Sequence, residues 1–152
     1  MVLPRSHPAT DIVLELGPAP DDTVLTKTSM DTFASTPLAE ELHRRGVRTL
    51  VLGGVLTDAC VESSAQHAAE RGFQVSAAED ACAAWEEAFH AASLASLSRD
   101  FARIASTRQI LPGVGRPRSL SRPPHPTELR AHSTQRRWIE WTTHIAIIQF
   151  GL

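Results

Sequence analysis

The stretch from Val47 to Gln74, VRTLVLGGVLTDACVESSAQHAAERGFQ, limits the possible folds of this chain more than any other. Val47 to Leu52 is a continuous apolar, largely β-branched run apart from Arg48 and Thr49, the pattern of a strand covered on both faces. Gly53 and Gly54 then close it with a turn. A helical pattern follows at once, with Thr57 as its expected cap, Val61, Ala65, Ala68 and Ala69 as its inward stripe and Gly72 as its stop. Small residues on that stripe let a helix lie close to a sheet. A buried strand that turns directly into a helix is half of a parallel crossover unit.

The flanking segments extend the same alternation. Asp22 to Lys27 alternates weakly and is rich in Thr and Val, which predicts a short strand ending at Lys27, followed by a loop over Thr28 to Ser35. Thr36 and Pro37 are a helix-start signal, Leu38, Ala39 and Leu42 are the inward face, and Gly46 is placed to end the helix. Beyond Gly72 the pattern predicts a strand over Phe73 to Ala77. A helix over Trp85 to Phe101 is expected to bury Phe89, Leu94, Leu97 and Phe101, and a last strand to cover Ala102 to Ser106. The expected class is α/β: a doubly wound, Rossmann-like, three-layer arrangement with a mostly parallel sheet and right-handed crossovers.

Charge divides the chain. Residues 1–111 carry a formal charge of −6 and residues 112–152 carry +4, a reversal that the total of −2 conceals. Residues 1–20 read as an irregular lead-in with Pro4, Pro8, Pro18 and Pro20, and residues 21–111 as the folded domain. Residues 112–152 read as a Pro- and Arg-rich tail that cannot repay its ordering entropy, with an apolar end, WIEWTTHIAIIQFGL. That end is expected either to dock as an extra strand on an open sheet edge or to be an adventitious addition. Its arginines are scattered among prolines without aromatic interleaving, so no nucleic-acid partner is expected. No apolar run approaches membrane-spanning length, and no membrane partner is expected. Two cysteines, Cys60 and Cys82, and no charged-then-apolar leader make a reducing, cytoplasmic setting the default and a disulfide scaffold unlikely to be the organising device.

The chemistry concentrates on one thiol. Cys60 stands three residues after Thr57, beside the free N–H groups and positive dipole end of a helix start, an arrangement expected to favour a thiolate. The N–H groups of Cys60 and Leu56 are candidates to converge on an oxyanion, with Gly53 and Gly54 permitting the tight approach. In these residues the chain resembles the isochorismatase-like cysteine hydrolases, the superfamily that includes nicotinamidases and ureidoacrylate hydrolases. The matching pieces are PDDTVLTKTSMDTFASTPLAEEL, with a strand-end lysine at Lys27 and Phe-x-x-Thr-x-Leu at Phe33, Thr36 and Leu38, then GVLTDACVESSAQHAAERGFQV and EDACAA.

The resemblance implies a small-molecule substrate, an amide or related bond, attack by Cys60, and Lys27 as its acid/base or electrostatic partner. It implies a cis peptide bond from Val55 to Leu56 in the turn formed with Gly54 and Thr57, and a pocket contact for Phe33, for which a core position is the alternative. It also implies an activating aspartate at the end of an earlier strand. No segment before Lys27 has that apolar-apolar-Asp form, so the domain is expected to be N-terminally incomplete, with an uncovered sheet edge and marginal stability as a monomer. A homo-oligomer is compatible with that expectation. The rival readings are a catalytically impaired or inactive homologue serving as a binding or oligomer partner, and a redox-sensing thiol protein. No cofactor or metal is expected: His43, His67 and His90 lack metal-ligand spacing and read as surface or packing residues, and Cys82 reads as structural.

Overall fold

The computed structural model describes residue 20, residues 22–113 and residues 145–150. The lead-in over residues 1–19 and most of the 112–152 tail lie outside the described residues. Four strands form one parallel sheet: β1 (Thr49–Val55), β2 (Gln74–Ala83), β3 (Arg103–Ala105) and β4 (Ile145–Phe150), in the order β3-β2-β1-β4. The helices are α1 (Thr32–Ser35), α2 (Leu38–Arg44), α3 (Glu62–Glu70), α4 (Glu87–Asp100) and α5 (Thr107–Ile110), with a π-helical turn over Thr57–Val61 and a 3-10 turn over Leu111–Gly113. The class is α/β. No helix among the described residues is long and apolar enough to cross a membrane.

The glycine stops act as the sequence indicates. Gly46 has φ 71° and its N–H bonds to the His43 carbonyl, while the Val47 N–H reaches back to Leu42. Gly72 has φ 85° and repeats the motif, with Gly72 bonded to Ala69 and Phe73 to Ala68. Both are left-handed caps that reverse the chain from helix into strand at little steric cost.

β1 is the spine of the core. Leu50 and Leu52 are fully buried, and they join Val61, Ala65 and Ala68 of the following helical run, Val75 of β2, Leu97 of α4, and Leu38 and Leu42 of α2 in a single cluster. β1 and β2 run in register from Thr49↔Gln74 to Leu52↔Ala77, then resume at Gly54↔Cys82. The extra β2 residues make a bulge, and the β1 backbone closes against it at Gly53. A Cβ at Gly53 would lie 3.2 Å from the Ala81 carbonyl oxygen.

Four expectations are corrected here. Asp22 to Lys27 forms neither helix nor strand and pairs with no strand among the described residues. The Arg45 guanidinium, paired with Glu41, instead holds it through Thr23 Oγ1 at 2.8 Å. The expected loop contains α1, which Asp31 caps by accepting the Phe33 N–H at 2.9 Å. α4 begins only at Glu87, leaving Trp85 79% and Phe89 51% exposed, so Leu97 and not Phe89 anchors the helix. Finally, β1's second edge, expected to be uncovered, is paired with β4 from Thr49↔Ile145 to Gly54↔Phe150, the docked-strand alternative for the apolar end.

Leu97→Ala is expected to lower unfolding free energy by about 2–5 kcal/mol, as for other fully buried leucines. Phe89→Ser should change it by less than about 0.5 kcal/mol, in keeping with its exposure. Gly53→Ala should cost about 1–3 kcal/mol, because the opposing atom is backbone and cannot swing away. Urea denaturation followed by circular dichroism checks all three.

Candidate active site

The carboxyl end of β1 builds the site. The Val55–Leu56 peptide bond is cis, at the position the resemblance implies. Immediately after it, the Leu56 carbonyl accepts N–H bonds from Ala59 and from Val61, the latter spanning five residues and opening the turn to π width. Such widened turns recur where a helix start serves a function. Cys60 lies inside this turn and is only 6% exposed.

Thr57 is not the cap it was expected to be. Leu56 occupies that position without a side-chain bond. Thr57 is instead fully buried, with its hydroxyl 2.8 Å from His90 Nδ1 on α4, and its carbonyl accepts from the Ser93 hydroxyl at 3.1 Å. The same hydroxyl lies 2.7 Å from a Glu62 carboxylate oxygen, so its one hydrogen is shared between the two acceptors. The π turn is therefore held from the α4 side by His90, which the sequence marks as a surface or packing residue, and by Ser93, which local pattern did not single out.

Lys27 arrives from the other side. Its Nζ stands 3.2 Å from Cys60 Sγ and 3.1 Å from the Ser29 carbonyl. Among the described residues Lys27 makes no ion pair with a carboxylate. An ammonium in contact with a buried sulfur is a charge-assisted hydrogen-bond donor for a thiolate. So the two residues expected to react are brought together, although Lys27 is not on a strand.

Phe33, expected to contact substrate, takes the alternative core position. It is 6% exposed, its ring centroid lies 6.0 Å from that of Phe73, and the Arg71 guanidinium sits 5.5 Å above it. The short α1 carries it into the core cluster that also holds Cys60. Cys82 is half-buried on β2, and burial pushes its thiol pKa up. Asp80 of the EDACAA segment stays outside the site: it accepts from the Thr107 N–H and hydroxyl, both at 2.7 Å, which ties α5 to the β2 bulge and holds its carboxyl below the usual range. Among the described residues no three His, Cys, Asp or Glu side chains gather as metal ligands. A shallow depression of about 100 Å³ between His43, Val47 and Phe73 lies at the amino end of β1, the opposite end from Cys60.

A family model described as the Isochorismatase domain matches residues 2–109. The chain belongs to the isochorismatase family. It is 38% identical over 113 residues to the uncharacterized isochorismatase family protein YecD of Escherichia coli O157:H7, an overlap of 72% of this chain and 57% of that protein. It is 36% identical over 89 residues to nicotinamidase 3 of Arabidopsis thaliana, covering 59% of this chain and 45% of the relative. The crystal structure of an isochorismatase-like hydrolase from Alkaliphilus metalliredigens superposes with a TM-score of 0.65 at 32% identity, over 67% of this chain and 56% of the other. This isochorismatase-family chain thus spans about half the length of those curated relatives.

At neutral pH, iodoacetamide is expected to label Cys60 before Cys82 although Cys82 is the more exposed thiol, because the Lys27 ammonium touches the Cys60 sulfur at 3.2 Å while burial and the Asp80 carboxylate push the Cys82 thiol up. Peptide mapping after limited labelling reads the order, and preferential Cys82 labelling would contradict it.

Proposed function

We propose that this chain is a hydrolase that cleaves an amide or related bond of a small molecule through a cysteine nucleophile. The observation that carries this reading is the 3.2 Å contact between Lys27 Nζ and Cys60 Sγ at the carboxyl end of β1. The sheet order supports it: β2 and β4 lie on opposite sides of β1, which makes the carboxyl end of β1 a topological switch point, where open α/β sheets bind their ligands. The nicotinamidase relative lends the substrate class, a carbonyl bonded to nitrogen.

In the proposed cycle the Cys60 sulfur attacks the substrate carbonyl and the oxygen gathers negative charge. The N–H groups of Cys60 and Leu56 receive that charge, in a turn shaped by Gly54, Val55 and Thr57. The C–N bond breaks, the leaving nitrogen takes a proton from Lys27, and a thioester remains on Cys60. Water then adds to the thioester with its proton passing to Lys27, releasing the carboxylate product and restoring the sulfur–ammonium pair. Each proton given to the amine in the first half is recovered from water in the second.

A second reading is a homologue impaired in catalysis, serving at most as a binding or oligomer partner. The observation favouring it is that Lys27 lacks a carboxylate partner among the described residues, and loss of a general base typically removes about 10²–10⁴ in rate. The two readings separate in one assay. The hydrolase reading expects ammonia release from nicotinamide or another small primary amide, abolished by Cys60→Ala and lowered about 10²–10⁴-fold by Lys27→Met. The impaired reading expects no release from any amide of the panel, while Cys60 is still labelled ahead of Cys82.

A further inference from the structure

Lys27 reaches Cys60 from a segment that pairs with no strand among the described residues, and a set of polar contacts to α3 holds that segment next to the thiol. Four residues after the lysine, Asp31 is buried at 6% exposure. One of its oxygens caps Phe33, and the other lies 3.1 Å from His67 Nδ1 on α3. The next residue, Thr32, donates its N–H to Ser64 Oγ at 3.1 Å, and the Ser64 hydroxyl points back to Thr32 Oγ1 at 3.4 Å. Ser64 is fully buried. Cys60, Ser64 and His67 follow one another at intervals of four and three residues, the spacing of a single helix face. That one face therefore receives the lysine, the threonine and the aspartate of the incoming segment in turn.

The His67 contact also defines its proton. Nδ1 is 3.1 Å from the Asp31 carboxylate and 3.1 Å from the Ser63 carbonyl, and both are acceptors only. Nδ1 must then carry a hydrogen, which is true of the neutral Nδ1–H tautomer as well as of the cation. The clasp consequently needs a donor at that atom and no positive charge.

We propose that His67 and Ser64 are positioning residues for the Lys27–Cys60 pair: they clamp the Asp31–Thr32 corner onto α3 and so keep the lysine ammonium in contact with the sulfur. This rests on reading Cys60 and Lys27 as the reacting pair. Neither positioning residue touches the substrate in this scheme. Asp31 serves both as helix cap and as clasp, which makes it a poor probe, whereas His67 is 43% exposed at its side chain and can be changed without opening the core.

The test is the rate of Cys60 alkylation by iodoacetamide at pH 7 on the full chain, mapped by mass spectrometry, with thermal melting recorded beside it. Lys27→Met should slow labelling about tenfold by removing the ammonium from the sulfur. His67→Ala should slow it about three- to tenfold, and His67→Asn, which restores an N–H donor near the Nδ1 position, should return it to within about twofold of the parent. In a Lys27→Met background His67→Ala should add nothing, since there is no ammonium left to position. Unchanged labelling with a lowered melting temperature, or an undiminished effect of His67→Ala in the Lys27→Met background, would overturn the proposal and leave the hydrolase reading standing. If Lys27→Met itself leaves labelling unchanged, the pair and the clasp fall together. Should His67→Ala be unfolded by circular dichroism, Ser64→Ala takes its place in the same comparison with the same expected outcomes.

Discussion

The β1 backbone passes so close to the bulge of β2 that a methyl group at Gly53 would press on the Ala81 carbonyl, and the arrangement of the site depends on that approach. It lets β1 end against β2 at Val55↔Ala83, one residue before the chain enters the π turn. The turn in turn fixes where Cys60 stands. Packing around it is apolar on the sheet side, through Leu52 and Val61, and polar on the α4 side, through Thr57, His90 and Ser93. A thiol buried in this way is held by its backbone more than by its own side-chain contacts, as the proposed nucleophile would need.

The polar residues of the site are distributed in two seams that flank the same helical run. One joins the π turn to α4, and the other joins the Lys27 segment to α3. Every buried side-chain nitrogen or oxygen among the described residues has a partner, so neither seam leaves an uncompensated polar group in the core. Neutral hydrogen bonds of this kind contribute only about 0.5–1.5 kcal/mol each, whereas leaving one buried partner unmade costs about 1–3 kcal/mol. Their value here is geometric: they decide which of several compact arrangements the short α1 and its neighbours adopt.

Much of this was legible in the sequence where a single segment carries its own instructions. The β1 run, the helix after Thr57, and the stops at Gly46 and Gly72 declare themselves by apolar period and by the φ that glycine permits. The contact of Cys60 with Lys27 was legible through their place in a family pattern. What local pattern missed depends on partners distant in the chain. Asp22 to Lys27 has the composition of a strand but pairs with no strand among the described residues, and Thr57 has the composition of a cap but finds His90 at 2.8 Å. His67 looks like a surface residue until Asp31 is brought against it from more than thirty positions away. The aromatic period of α4 predicted a buried Phe89, yet the helix starts late and turns that ring outward.

The pairing of β1 with β4 joins a strand in the first half of the chain to one separated from it by every described element except α1 and α2. During synthesis β1, α3 and β2 leave the ribosome well before residues 145–150 exist, so the nascent domain spends that interval with a hydrophobic strand edge open to any passing chain. Non-local pairing of this kind is intrinsically slow to form. The parallel sheet is therefore closed last on the β4 side, by the part of the described chain that is made last.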